Sequence, residues 1–343
     1  MNKIKYSFTL VLILFVTAGT VFGGGGSRNG TAGATELLIP IGARGIGLSG
    51  SALTSTKGVD AIFWNPANIV RSSNSTDLVF SQMSYIADIG VTYGGIAVNI
   101  DGFGAIALDI KSLSFGDIIK TTVANPDGTG ITYSPQYVTI GLSYSRMLSD
   151  RISVGLTADL VSETIDRVSA TGVAFSAGVT YSNLANIDGL SFAIVLKNIG
   201  PQMQFGGSGL YVSAEATDLS LGEQLYKVEA ATFELPSALE IGFGYDVKIA
   251  DQNDLLLSAT FQNNNFDADK YKVGAEYNFR NLLYLRGGYT FAPELSSDER
   301  VYSFTVGGGV QYIVGGVDFK LDYAYQDTKY FDGNNIFTLS LGL

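Results

Sequence analysis

The chain has 343 residues, 42 of them glycine, with 32 acidic against 21 basic side chains, a net charge of −11, and neither cysteine nor histidine. That balance excludes a nucleic-acid partner, because phosphate binding needs clustered lysine and arginine. It also excludes disulfides, a lipoprotein anchor, Ser-His-Asp and Cys-His catalysis and the usual zinc ligand sets. No spacing of serine with lysine or of paired carboxylates selects an enzyme, and no cofactor is called for. Gly45-Ile46-Gly47 and Gly307-Gly308-Gly309 follow no strand-to-helix step, so a dinucleotide site is not supported. Oxygen-rich stretches at 251–254, 267–269 and 332–335 are where calcium would be sought; they lack the EF-hand pattern and read as solvated turns, so no metal is assigned.

In chain order, residues 1–23 read as a secretory signal peptide: Lys3 and Lys5 give a charged start, Phe8 to Val16 an apolar core, and Val21-Phe22-Gly23 a cleavage context before Gly24. Residues 24–76 open with a glycine-rich run and show no alternation. From residue 77 to 343 large apolar or aromatic residues alternate with small or polar ones. Leu239, Ile241, Phe243, Tyr245 and Val247, for example, interleave with Glu240, Gly242, Gly244, Asp246 and Lys248. Side chains on a strand alternate faces, so one face is apolar and the other carries glycine and charge. The runs are about ten residues long, which is the length of a tilted membrane-crossing strand and longer than the usual soluble one. Strands are expected near 77–86, 90–100, 103–115, 136–147, 151–163, 170–182, 189–199, 236–249, 254–263, 269–280, 282–292, 301–313, 316–327 and 335–343. The fold class is therefore all-β, a 14-stranded antiparallel transmembrane β-barrel with a small N-terminal segment before it.

The connections carry an independent check. Those after even strands are tight, at Asp101-Gly102, Ser149-Asp150, Asn281 and Gly315-Gly316, whereas 116–135, 200–236 and 293–300 after odd strands are long. Bacterial outer-membrane barrels have an even strand number, short periplasmic turns and long external loops, so the outer membrane is the expected location and both termini fall in the periplasm. Outer-membrane lipid is then the first partner.

Inside residues 24–76 stand Gly42-Ala43-Arg44, Gly47 and Gly50, and then Asp60-Ala61 and Trp64-Asn65-Pro66-Ala67. In these residues and their spacing the chain resembles the PorV/PorQ family, relatives of the FadL outer-membrane transporters. It departs from the family pattern at Leu48 for a usual Met, Ser49 for a Gly and Asn68 where Gly commonly follows; the last strand, 337–343, is similar to the closing assembly signal of such barrels, with Leu343 where a terminal Phe is more usual. The resemblance implies a hatch or plug folded back into the periplasmic half of the barrel. A buried hatch must satisfy its charge, so Arg44 is expected to pair with Glu240, Glu276 or Asp322. Gly45, Gly47 and Gly50 would permit close approach to the wall, Asn65-Pro66 reads as a turn or helix start, and Trp64 as an anchor whose N–H needs a partner.

Two further groups stand out. The long 200–236 connection mixes Met203, Phe205, Leu210, Tyr211 and Val212 with acidic residues, the composition of a partner-binding loop or of a cap over a pore mouth. Alternation places Lys111, Asp159, Glu240, Asp246, Lys248, Glu276, Arg280, Arg286, Asp318, Lys320 and Asp322 toward the lumen, and the mixed signs suggest internal ion pairs. Three functions stay open. The PorV/PorQ resemblance implies a component of type IX protein secretion, with exported cargo proteins and secretion-machinery subunits as partners. The FadL kinship implies a transporter holding hydrophobic small molecules, or detergent, in its lumen. The third is a structural or surface-interaction barrel without transport.

Overall fold

A computed structural model describes residue 28 and residues 30–215 and 223–343; the signal peptide expected at 1–23 lies outside them. Fourteen strands form one closed antiparallel barrel: β1 (Thr76–Ser84), β2 (Gly90–Ile100), β3 (Gly104–Ser114), β4 (Gln136–Met147), β5 (Ile152–Ile165), β6 (Val168–Ser182), β7 (Leu190–Ile199), β8 (Ala238–Ala250), β9 (Asn253–Asn264), β10 (Lys270–Phe279), β11 (Leu283–Phe291), β12 (Tyr302–Val314), β13 (Val317–Thr328) and β14 (Asn334–Gly342). Each strand pairs with its sequence neighbour. The first and last then close the cylinder in register from Asp77 opposite Gly342 to Ser84 opposite Asn335. The expected number and order of strands are those observed.

Phe80, Leu108, Leu142, Leu156 and Leu321 point outward and are exposed, while Val79, Ser81, Ala107, Ser143 and Asp322 point inward and are buried. A closed sheet with an apolar outer belt satisfies every ladder hydrogen bond laterally, which is the condition for β-structure to cross a bilayer. The rim that carries the ends of β1 and β14, here the terminal rim, has short turns. At one of them Gly315 and Gly316 both take positive φ, +59° and +85°, joining Val314 to Val317 as a tight hairpin. The opposite loop rim carries the connections 115–135, 200–237 and 292–301, but also the two-residue Asp166-Arg167 turn between β5 and β6.

Residues 28–75 run through the interior. Arg28 pairs with Glu234 at 2.6 Å and the Gly30 N–H donates to the Phe266 carbonyl at 3.2 Å, both at the loop rim. The chain then passes Thr35–Leu38, the helix α1 (Ala43–Gly47), Gly58–Asp60, the helix α2 (Ala61–Trp64) and Pro66–Arg71. It leaves at the terminal rim, where the Ser75 N–H donates to the Leu343 carbonyl at 2.8 Å. The segment thus spans both halves of the cylinder, whereas the family resemblance implied the periplasmic half alone. Wall glycines admit it: a Cβ on Gly155 would strike the Pro66 and Ala67 backbone, and one on Gly288 the backbone of Leu48 and Ser49.

The outward belt fixes a depth-dependent expectation. Leu142 sits midway along β4 and is 57% exposed, while Leu148, 65% exposed, follows the strand at the terminal rim. Leu142→Arg should cost about 2 to 4 kcal/mol and Leu148→Arg about 0 to 1 kcal/mol in equilibrium unfolding from lipid vesicles. Equal costs would contradict the facing and depth assigned to β4.

Candidate functional site

The interior segment leaves a cavity of about 530 Å³ toward the loop rim. Its walls are largely apolar and aromatic: Leu37 and Ile39 from the segment, Phe63 and Trp64 from α2, Leu113 and Phe115 from the end of β3, Tyr85, Tyr137 and Tyr302. The aromatic side chains are held by one another. The Phe63 and Trp64 rings meet edge to face at 5.0 Å, Phe115 and Tyr137 at 4.8 Å, and the Tyr85 and Tyr302 hydroxyls are 2.6 Å apart. Trp64 is locked beneath, its indole N–H donating to the Ile41 carbonyl at 3.2 Å and its ring filling the space where Gly45 has no side chain.

Charged groups line it as well, Glu36, Asp267, Lys270, Glu299 and Arg300 among them, and three more form a cluster. Lys197 on β7 and Lys272 on β10 approach Glu240 on β8 at 3.1 and 3.9 Å. The Lys197 ammonium also lies 4.7 Å from the Phe63 ring centre, a cation–π distance. Two ammonium groups thus share one carboxylate within this cluster, on the floor of the chamber.

Below this floor a second layer binds the segment to the wall. The Arg44 guanidinium grips Glu276 at 3.0 and 2.8 Å and donates to the Ser55 carbonyl at 3.0 Å. Arg286 bridges the same Glu276 to Asp322. The Asn65 amide donates to the Leu53 carbonyl at 2.9 Å and to Thr180 Oγ1 at 2.8 Å, while its oxygen accepts from the Ala67 N–H. Asn65 therefore caps Pro66–Arg71 and docks it on the barrel in one side chain. Gly42 and Gly50 take positive φ, +79° and +76°, and Ser49, where the family pattern has a glycine, is also left-handed at +52°. Gly47 packs on Gly307, the Ala43 N–H donates to Thr338 Oγ1 at 2.9 Å, and Pro66 lies over Gly155. Asp60 faces a polar cavity of about 310 Å³ at the terminal rim, lined also by Lys57, Asp246, Asp318, Lys320 and Asp322.

The structure separates residues that the sequence grouped together. Glu240, Glu276, Arg286 and Asp322 are buried in the lumen, but Lys248 is exposed near the end of β8, where the pairing shifts register, and Arg280 leaves the strand altogether. Arg280 sits in the turn after β10 with φ +56° and lays its guanidinium 5.2 Å over the Phe279 ring, so its charge stays in water. Among the loop residues Met203 is buried against Leu37, Val161, Ala174 and Leu235, and Phe205 stacks on Phe233 at 5.6 Å. Met203 is thereby withdrawn from the surface, and Phe205 is half-buried. Leu210 is half-buried, and Tyr211 and Val212 are exposed on a hairpin, Tyr211–Glu215 paired with Glu223–Lys227. Lys197, Asp109, Glu163 and Glu36 are buried charges, and Lys272 a half-buried one, that sequence reasoning left out of the candidate residues. Lys197, Lys272, Asp109 and Glu163 share the inward parity of their strands, so alternation carried the signal; Glu36 lies in the non-alternating segment and had none.

No family model matches the chain, and no curated protein matches it. Solved structures do. The Ralstonia pickettii toluene transporter TbuX superposes with a TM-score of 0.55 at 14% identity, over 88% of this chain and 98% of that one. The P. putida toluene transporter TodX gives 0.55 at 12% identity over 88% and 98%, and the CymD monoaromatic hydrocarbon channel 0.53 at 14% over 89% and 97%.

Glu276 holds two guanidiniums at once, so its loss should be costly. Glu276→Ala is expected to destabilise the protein by about 3 to 5 kcal/mol, because it leaves Arg44 without a carboxylate and Arg286 with Asp322 alone, and to render residues 43–56 cleavable by protease in detergent. Unchanged stability and protection would show that the network does not hold the segment. At the level that identities of 14% and below allow, the chain has the fold of these hydrocarbon channels, a closed barrel of fourteen strands.

Proposed function

We propose that the protein is an outer-membrane channel for small hydrophobic molecules, with the loop rim outside, the terminal rim in the periplasm and residues 28–75 acting as its hatch. The observation that carries this reading is the aromatic-walled chamber of about 530 Å³ opening toward the long loops. Such a chamber takes an apolar ligand out of water at a gain of about 25 cal/mol per Å² buried. The paired lysines at its floor suit a ligand with an anionic or hydrogen-bonding end. The fold shared with toluene and monoaromatic hydrocarbon channels supports the same reading, as does the FadL kinship in the N-terminal motif.

A PorV/PorQ-like role in type IX secretion keeps the N-terminal signature as its support, together with one structural feature. The hairpin formed by Tyr211–Glu215 and Glu223–Lys227 leaves Tyr211, Val212, Leu225 and Tyr226 exposed, apolar groups that cargo proteins or secretion-machinery subunits would cover.

Trp64 is the only tryptophan in the chain and lines the chamber, so its fluorescence reports occupancy directly. Titrating toluene, and separately decanoate, into the purified barrel should change that emission saturably. Ala292→Trp, which fills the chamber from the wall, should block the accompanying retention of radiolabelled ligand. No saturable response to either probe would overturn the channel reading. Deleting residues 210–228 should leave the Trp64 response intact; if that deletion instead removes co-purifying exported proteins, the secretion reading gains.

A further inference from the structure

The chamber toward the loop rim has two unlike walls. On one side stand Tyr85, Ile89, Leu113, Phe115 and Tyr137, from the end of β1 round to the start of β4. Across the closed ring of fourteen strands, where β8 lies opposite β1, stand Glu240, Gln262, Lys270 and Lys272, with Lys197 and Thr290 on the flanking strands. One wall is aromatic and aliphatic, and the other is made of hydrogen-bonding groups.

The polar wall is continuous. Glu240 lies directly across from Gln262, Gln262 from Lys270, and Lys272 from Thr290, each pair on neighbouring strands of one face. Part of its hydrogen-bonding capacity is spent within the wall: the Gln262 amide N–H donates to Asn264 Oδ1 at 2.8 Å, and Lys270 pairs with Asp267. The rest faces the chamber. The Lys272 ammonium is 3.9 Å from Glu240, beyond hydrogen-bond range. Among the described residues neither the Gln262 carbonyl oxygen nor the Thr290 hydroxyl has a hydrogen-bond partner, and both residues line the chamber.

The charges on the lining are balanced, four cationic side chains standing against four carboxylates, so an ion gains little from the chamber as a whole. A carboxylate laid on Lys272 would meet Glu240, and an ammonium laid on Glu240 would meet Lys197 and Lys272. A hydroxyl both donates and accepts, so it suits either neighbour without bringing charge. On the opposite wall the Phe115 and Tyr137 rings, 4.8 Å apart, offer a surface for an aromatic face. A cavity of about 150 Å³ admits benzene. The chamber, at about 530 Å³, has room for roughly two or three rings.

Building on the channel reading, we propose that the ligand is a neutral aromatic of two or three rings hydroxylated along one edge. Its rings lie on Phe115 and Tyr137, and its hydroxyls meet Lys272, Gln262 and Thr290. A bare hydrocarbon fits the same space less well, because the polar wall then faces a surface that cannot bond it.

The test is isothermal titration of the full chain in detergent with naphthalene, 2,3-dihydroxynaphthalene and 2-naphthoate, each corrected for its partition into empty micelles. The diol should bind about tenfold more tightly than either of the others, the gain expected from about two hydrogen bonds. The double variant Lys272→Met/Gln262→Leu should pull that ratio toward one, and Tyr137→Ala should weaken all three. Heat-modifiable gel mobility shows whether each variant is a folded barrel, and where one is not, the wild-type ranking decides. A diol no tighter than naphthalene, a preference for 2-naphthoate, or an undiminished ratio in the folded double variant would overturn this ligand class and leave the channel reading standing. Saturable binding of none of the three would overturn the channel reading and this inference with it.

Discussion

Everything in this structure follows from the impossibility of leaving a backbone N–H or C=O unpaired at membrane depth. A sheet meets that condition only by closing on itself, and the pairing of β1 with β14 is where it closes. A closed cylinder of fourteen strands then encloses more space than inward side chains alone can fill, many of them being glycine, alanine, serine or threonine. The chain answers by running its own N-terminal residues through the middle. The small inward residues and the interior segment are two halves of one packing problem: Gly155, Gly288 and Gly307 are small because backbone lies directly on them.

Threading a polypeptide through a lumen also requires that its charges and amides be met there. Arg44 is met by Glu276, and Glu276 is oriented by Arg286, which is held in turn by Asp322. Asn65, Asn68 and Trp64 satisfy carbonyls of the segment's own turns, so its fold is specified locally as well as by the wall. Such buried ionic layers add little net stability compared with apolar packing, but they penalise any misplacement of the segment severely. Toward the loop rim the packing changes character. Aromatic side chains brace one another instead of filling the centre, and the chamber they leave is the feature on which the proposed transport depends.

Much of the barrel could be read from the sequence because lipid imposes a two-residue period over some 270 positions. β8 and β10 alternate so cleanly that the inward placement of Glu240 and Glu276 followed from parity. Parity failed where strands end. Arg280 lies in a turn whose left-handed backbone no periodicity predicts, and Lys248 lies just before a bulge that shifts the pairing. It was also silent on long-range packing, so Met203, which looked like a loop contact, proved to be sealed against Leu37 and Val161 from distant segments. The polar wall of the chamber needed the register of three strands. One sequence lists Glu240, Gln262 and Lys270 well apart; the hydrogen-bond ladder sets them side by side.

The claim on which the rest depends is that residues 28–75 occupy the barrel as a fixed element. Ser51 on that segment and Ser258 on β9 have their hydroxyl oxygens 2.7 Å apart, and the chain contains no cysteine to interfere. Replacing both by cysteine and oxidising the folded protein in detergent tests the contact directly, since a disulfide forms only when the two Cβ atoms are roughly 4 Å apart. The account predicts complete intramolecular cross-linking, seen as a faster-migrating band after denaturation that reverts on reduction. Two thiols that stay free and react with maleimide in the folded barrel would contradict it.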